Sequence, residues 1–354
     1  MSSGEWAIAR RAGLTNDAIT LEGIGKTDRE LRAAVRAAAE GAPLAWVAVE
    51  SGDELDRLIA LAEAAGLGTA HDRPPLEVLV RSNPDVTPET HAGLAVGAGA
   101  SKFGMTETEL TEAVERAAAS RSVRPRGIHL HVGSQLGAVD AWRDAVRRCL
   151  ALVGLLRGGL PAFDTLDVGG GFPVGAADAV PSPARFAREI PALLDGVPTD
   201  RRPERWAVEP GRFLVARAGW LVASVLHVRG RRDVPLVVLD TGMTELIRPA
   251  LYGAHHPIVA LTSLGSPLDS AAGHTPLAVP TRVDGPICES TDALGMHDLP
   301  SLRRGDLVAI ADAGAYAAVM SSTYNGRPRP PQVLLEPDGR MTLGRRRGSV
   351  AALG

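Results

Sequence analysis

A chain of 354 residues with a formal net charge of −3 is longer than one ordinary domain and too nearly neutral to present a nucleic-acid-binding face. Its apolar content of 45% can fill a large core, but no unbroken apolar run is long enough to cross a membrane and the N-terminus carries no charged-then-apolar signal. Two cysteines, Cys149 and Cys288, fit a reducing compartment better than a disulfide framework. The expectation is a cytoplasmic enzyme-sized protein with a small-molecule substrate, no nucleic-acid or membrane partner, and no bound metal.

Up to residue 212 short strands alternate with amphipathic helices. The strand-like runs are Ala18–Glu22, Ala45–Val49, Glu77–Val80, Gly127–Val132, Thr165–Val168 and Trp206–Val208. Thr27 with Glu30, Ser51 with Glu54, and Thr106 with Glu109 read as capping boxes, each followed by apolar residues at helical spacing. Such alternation means a parallel sheet with helices outside it. Six units are visible, two short of a closed (β/α)₈ barrel and equally suited to a doubly wound sheet. From residue 213 the texture changes: Phe213–Val228, Leu236–Asp240, Leu307–Ala311 and Gln332–Leu335 are apolar or β-branched runs between Pro- and Gly-rich connections. They predict a mostly β second domain over 213–354, with Leu261–Pro280 as a surface loop and Arg345–Arg347 on a solvated C-terminal strand.

Unusual residues gather where the strands end. His131, Ser134 and Gln135 follow the fourth run, Gly169, Gly170 and Gly171 the fifth, and Glu209, Gly211 and Arg212 the sixth. A triple glycine can form a nest of N–H groups for a phosphate, Ser134 adds a hydroxyl, and Arg212 a planar fork of donors. Gly211 suits a positive φ or a close backbone approach to a ligand. Glu209 is a candidate partner for a protonated ring nitrogen, and His131 for the face of a ring. In the second domain, Cys288, Glu289, Ser290 and Asp292 share a tight turn, where the nearby acids favour a thiol proton donor over a nucleophile. Arg248, Tyr252, Tyr316, Tyr324, Asn325 and Arg327 add cations, phenols and an amide suited to an anionic, polar small molecule.

In this order the blocks resemble the fold-type III pyridoxal-phosphate decarboxylases, among them diaminopimelate decarboxylase. The specific stretches are His129–Gln135, Gly169–Gly171, Glu209–Arg212, Leu246–Tyr252, Gly285–Ser290 and Gly314–Pro330. The resemblance implies an eight-stranded α/β barrel, incomplete here, over residues 1–212, followed by the β domain. It implies that His131 stacks on the ring of pyridoxal 5'-phosphate and that Glu209 pairs with the pyridine nitrogen. Ser134, Gly169, Gly170, Gly171, Gly211, Arg212 and Tyr316 would surround the phosphate, and Cys288 would reprotonate the α-carbon. Arg212, Arg248, Tyr252, Glu289 and Tyr316 would line the substrate site, and a glutamate after Cys288 favours a substrate whose far end bears both amine and carboxylate. The family's shared active sites imply a homodimer.

One departure stands out. The family's Schiff-base lysine lies on the first barrel strand, and no such motif is found in this sequence, whose two lysines, Lys26 and Lys102, match other blocks. The first two strands are therefore expected to be missing. Either Met1 is an internal start within a longer reading frame, or the chain is a lysine-less relative that acts as a binding or regulatory protein; a decarboxylase of another diamino acid is a third reading.

Overall fold

The computed structural model describes residues 2–71, 73–98, 101–175, 179–231, 234–268 and 277–352. They fall into two compact units, Met1–Pro210 and Gly211–Gly354.

The first unit is built on β1 (Thr20–Leu21), β2 (Trp46–Val49), β3 (Leu76–Ser82), β4 (Val123–Leu130), β5 (Thr165–Gly170) and β6 (Arg205–Glu209). All pair in parallel, and the strand order in the sheet is the chain order. A doubly wound sheet reverses its order at a switch point; an unreversed order is the winding of a barrel. The ambiguity left by periodicity is thus settled in favour of a curled half-barrel. β3 and β5 are almost wholly buried, Leu76, Val78, Leu79, Val80, Leu166 and Val168 entering the core while Arg81 and Asp167 are buried polar residues.

Five longer helices accompany the sheet: α1 (Ser3–Arg11), α2 (Asp28–Ala39), α3 (Gly52–Ala64), α4 (Glu107–Ala119) and α5 (Asp140–Arg157). α2 and α4 begin with the expected capping boxes, Thr27 with Glu30 and Thr106 with Glu109. At α3 the box is half made. Ser51 accepts the Glu54 N–H, but the Glu54 carboxylate takes the Glu50 N–H at 3.0 Å and Lys26 Nζ at 2.9 Å instead. α5 drives Trp142, Val146, Cys149, Leu150 and Val153 into the core, at helical spacing.

The second unit has a six-stranded sheet in the order β11-β10-β8-β7-β12-β9. Its strands are β7 (Leu221–Arg231), β8 (Val234–Leu239), β9 (Ile258–Leu261), β10 (Val279–Asp284), β11 (Ala293–Leu299) and β12 (Leu307–Ile310). β8 and β10 pair in parallel and the rest antiparallel. β13 (Gln332–Leu335) and β14 (Met341–Arg345) form a separate hairpin. The run Phe213–Val228 is not one strand: helix Gly211–Val215 and a turn at Ala216–Ala218 precede β7. Of the expected loop Leu261–Pro280, residues 269–276 lie outside the described residues, and β9 and β10 occupy its two ends. Among the described residues, no helix is long and apolar enough to cross a membrane.

Candidate functional site

The first unit gathers its polar groups at the C-terminal ends of β4, β5 and β6. Gly169 and Gly171 take φ of +66° and +96°. A Cβ on Gly169, Gly170 or Gly171 would stand 2.2, 2.3 or 2.2 Å from the carbonyl oxygens of Leu130, Glu209 and Gly133. Only glycine lets these strand ends approach so closely. The Gly169 N–H donates to Asp167 Oδ1 at 2.9 Å and the Gly170 N–H to His131 Nδ1 at 3.0 Å. Two donors of the expected phosphate nest are therefore engaged within the unit. Ser134 is anchored by its backbone, its N–H to the Leu94 carbonyl and its carbonyl to the Thr90 hydroxyl.

Because His131 Nδ1 accepts from Gly170, a neutral ring carries its proton on Nε2. Burial, reinforced by the nearby Arg81 and His129, pushes its pKa down to about 3. A ring held neutral is suited to lie against an aromatic cofactor. Glu209, at the end of β6, places Oε1 2.8 Å from His129 Nε2, and Glu22 Oε2 lies 3.8 Å from the same nitrogen. Trp46 Nε1 donates to the other Glu22 oxygen at 3.2 Å. One ligand atom from each of Glu22, His129 and Glu209 lies within 4.8 Å of the others.

Three carboxyls crowd this region, Glu22 and Asp167 largely buried and Glu209 with its side chain 37% exposed. Burial raises the pKa values of Glu22 and Glu209. It raises Asp167 to about 7, with Glu209 and Glu22 adding to the effect and His129 opposing it. His129 is itself held below its ordinary value by burial. Such a site is short of positive charge, and a ring whose nitrogen carries a proton would relieve it.

The second unit holds the remaining predicted residues. Arg212 Cζ sits 4.5 Å from the centre of the Tyr316 ring, a cation–π contact. Tyr316 adopts φ +67°, in the left-handed region that a tyrosine rarely enters. Gly211, by contrast, has no left-handed φ, and a Cβ there would meet nothing within 4 Å, so the backbone does not require glycine at this position. Arg248 opens the helix Arg248–Tyr252 and is 7% exposed. Its Nη1 lies 2.9 Å from His256 Nε2, and His256 Nδ1 lies 3.0 Å from the Ala311 carbonyl. An arginine can only donate, so His256 is neutral with its proton on Nδ1. Burial and then the adjacent Arg212 push Arg248 down to about 10, while Tyr316 and Tyr252 oppose the shift. Two desolvated guanidiniums that repel each other call for an anion.

The turn at Gly285–Ser290 exposes Cys288. Asp292 does not share that display. It is buried, accepting the N–H groups of Met243 at 2.6 Å and Ile287 at 2.7 Å, and a Cβ on Gly285 would meet its carboxylate at 2.3 Å. Glu289 Oε1 accepts the Tyr324 hydroxyl at 2.6 Å, and Asn325 Nδ2 donates to Cys288 Sγ at 3.6 Å.

Structure adds four residues to which the sequence assigned no role. Asp167 and His129 stood inside strand-like runs and looked like strand residues. Glu22 and His256 stood in no motif, and only their neighbours in space give them meaning. Both lysines are engaged: Lys26 with Glu54 and the Gly23 carbonyl, its side chain fully buried, and Lys102 5.3 Å from the centre of the Phe103 ring.

Residues 1–216 match the family described as pyridoxal-dependent decarboxylase, pyridoxal binding domain. Diaminopimelate decarboxylase of Aquifex aeolicus is 33% identical over 352 residues, covering 98% of this chain and 77% of that protein. The enzyme of the same name from Pseudomonas aeruginosa is 36% identical over 345 residues, covering 97% and 76%. The crystal structure of Helicobacter pylori diaminopimelate decarboxylase complexed with L-lysine superposes with a TM-score of 0.85 at 29% identity, covering 99% of this chain and 81% of that one.

Proposed function

Because the chain belongs to the pyridoxal-dependent decarboxylase family, we propose that it converts meso-diaminopimelate to L-lysine and carbon dioxide with pyridoxal phosphate as cofactor. The observation that carries the substrate is the pair of desolvated guanidiniums, Arg212 and Arg248, close to Tyr252 and Tyr316. A substrate with a carboxylate at its far end suits this desolvated, positively charged pair. A plain diamine would bring a further positive charge to buried Arg248, and such a mismatch makes discrimination steep.

Pyridoxal phosphate, when bound, supplies the electron sink into which the carbon–carboxylate bond electrons pass. The residues fit that group. Glu209 would hold the proton of the ring nitrogen in an acid-rich site, and neutral His131 would face the ring. Ser134, Gly169, Gly170, Gly171, Gly211, Arg212 and Tyr316 would surround the phosphate. Arg248, Tyr252 and Glu289 would orient the far end of the substrate, and the Cys288 thiol would return a proton to the α-carbon. On this reading the Cys288 turn serves the partner's site in a cytoplasmic homodimer.

Turnover of meso-diaminopimelate, ornithine and arginine in the presence of pyridoxal phosphate tests the assignment. A preference of at least about a hundredfold for meso-diaminopimelate is expected; equal or faster release of carbon dioxide from ornithine overturns it. A second reading is favoured by one observation: neither lysine stands in the family's Schiff-base motif, and Lys26 is buried against Glu54. Under it the chain binds the cofactor or the amino acid without turnover, and the same assay would show saturable binding with no carbon dioxide.

A further inference from the structure

Residues Tyr324 and Asn325 are neighbours in one short turn, Tyr324–Gly326, and each grips one residue of the Cys288–Glu289 pair. The Tyr324 hydroxyl donates to Glu289 Oε1 at 2.6 Å. Asn325 Nδ2 donates to Cys288 Sγ at 3.6 Å. Two contacts made in register by adjacent residues dock the turn as a unit on the thiol-bearing loop. The backbone is committed to this arrangement: Asn325 takes φ +55° and Gly326 φ +64°, consecutive left-handed residues. Among non-glycine residues asparagine tolerates that region best, so the position can carry a side-chain donor where glycine would carry none.

We propose that Asn325 is a positioning residue for Cys288, holding its sulfur in place by a hydrogen bond, with Tyr324 fixing the adjacent carboxylate so that it does not take the same hydrogen bond. This rests on the reading of Cys288 as proton donor. An N–H aimed at a sulfur stabilises thiolate over thiol. A thiol that has passed its proton to carbon must be left as thiolate, and the amide that receives it eases that transfer. The atoms balance: the S–H bond breaks, a C–H bond forms at the α-carbon, and the sulfur keeps the electron pair and the negative charge.

The chain supplies its own readout. Cys149 is fully buried and its thiol is pushed up to about 12 by burial, so alkylation of the folded protein reports Cys288 alone. Iodoacetamide labelling rates would be measured from pH 6 to pH 10 for the wild type, Asn325→Ala and Asn325→Asp, with Cys288→Ser as the blank. Asn325→Ala should move the midpoint up by about half a pH unit or more. Asn325→Asp should move it further, because it keeps the shape and the left-handed preference while replacing the donor with a negative charge. Tyr324→Phe should give a smaller shift in the same direction, as the turn loosens and Glu289 is released towards the thiol. Coincident profiles for the wild type and Asn325→Asp overturn the proposal, since a merely structural role survives that substitution. Retained decarboxylation in Cys288→Ala would instead defeat the reading of Cys288 as proton donor, and the labelling result would stand apart from it.

Discussion

Asp167 lies in the middle of β5 and His131 just past the end of β4, yet burial moves them in opposite directions along the pH axis. Asp167 keeps its proton to about pH 7 in the folded chain and releases it near 3.8 when unfolded, so its contribution to stability falls as pH rises between those values. His131 is driven down to about 3 from 6.5, so folding excludes a proton that the unfolded chain takes up, and its contribution rises with pH over about 3 to 6.5. The two offset each other through most of that window. Asp167→Asn keeps an acceptor for the Gly169 N–H and removes only the falling contribution. Its melting temperature should climb between about pH 4 and 6.5 where the wild type is flatter, and exceed the wild type by a few degrees at pH 8. Parallel curves for the two proteins would show that Asp167 does not titrate in this way. The sequence could place Asp167 on a strand but could not show its surroundings: the shift arises from burial first, with Glu209 at the end of β6 and Glu22 just past β1 adding to it. His131, Glu209 and Arg248 stood out as candidates because each falls in a block of the resembled family, at a strand end or a helix start. His256 did not, since its role is to accept from an arginine that only folding brings to it.

The starts of α2, α3 and α4 were legible because a side chain closes the first turn, whereas the box of Ser2 and Glu5 that opens α1 went unread. Thr27 and Thr106 announce α2 and α4, each with a glutamate three residues on. α5, the longest helix, was not read as one because Val139 precedes it and makes no side-chain cap. Strands β9, β10 and β11 escaped for a related reason. β9 is only four residues long, polar residues break up β10 and β11, and Pro280 interrupts β10 near its start. The caps are unequal in weight. Glu109 closes only its own box, whereas Glu30 also accepts the Ser3 N–H at 2.7 Å and so ties the start of α1 to α2. Backbone donors from Thr27 and Ser3 hold the Glu30 carboxyl down to about 2, so its stabilisation is present above the unfolded value of 4.5 and is lost as pH falls through about 2. Glu30→Gln should therefore cost about 1–2 kcal/mol at pH 7, and Glu109→Gln roughly half as much, read from urea midpoints. The difference should shrink at pH 3; equal costs at neutral pH would mean the Ser3 contact contributes nothing.

At the scale of the whole molecule, the sheet of the first unit has no crossover that returns a late strand to an early one. Each strand is hydrogen-bonded only to its neighbours in the chain. β3 and β4 share the longest register, β1 pairs with β2 over two residues, and β6 is largely exposed, with Trp206 at 37% and Val208 at 55%. A sheet assembled this way behaves like a stack of seams, each of which opens without disturbing the seam two places away. Amide hydrogen exchange should rank the strands accordingly, with β3 and β4 slowest and β6 faster by at least about a hundredfold. Uniform protection across all six strands would mean that the unit opens only as a whole. If the ranking holds, the rim strand that ends in Glu209 samples open states while the centre of the sheet stays shut. Ligand binding at that strand end would then slow exchange most in β6, linking occupancy of the site to the order in which the sheet comes apart.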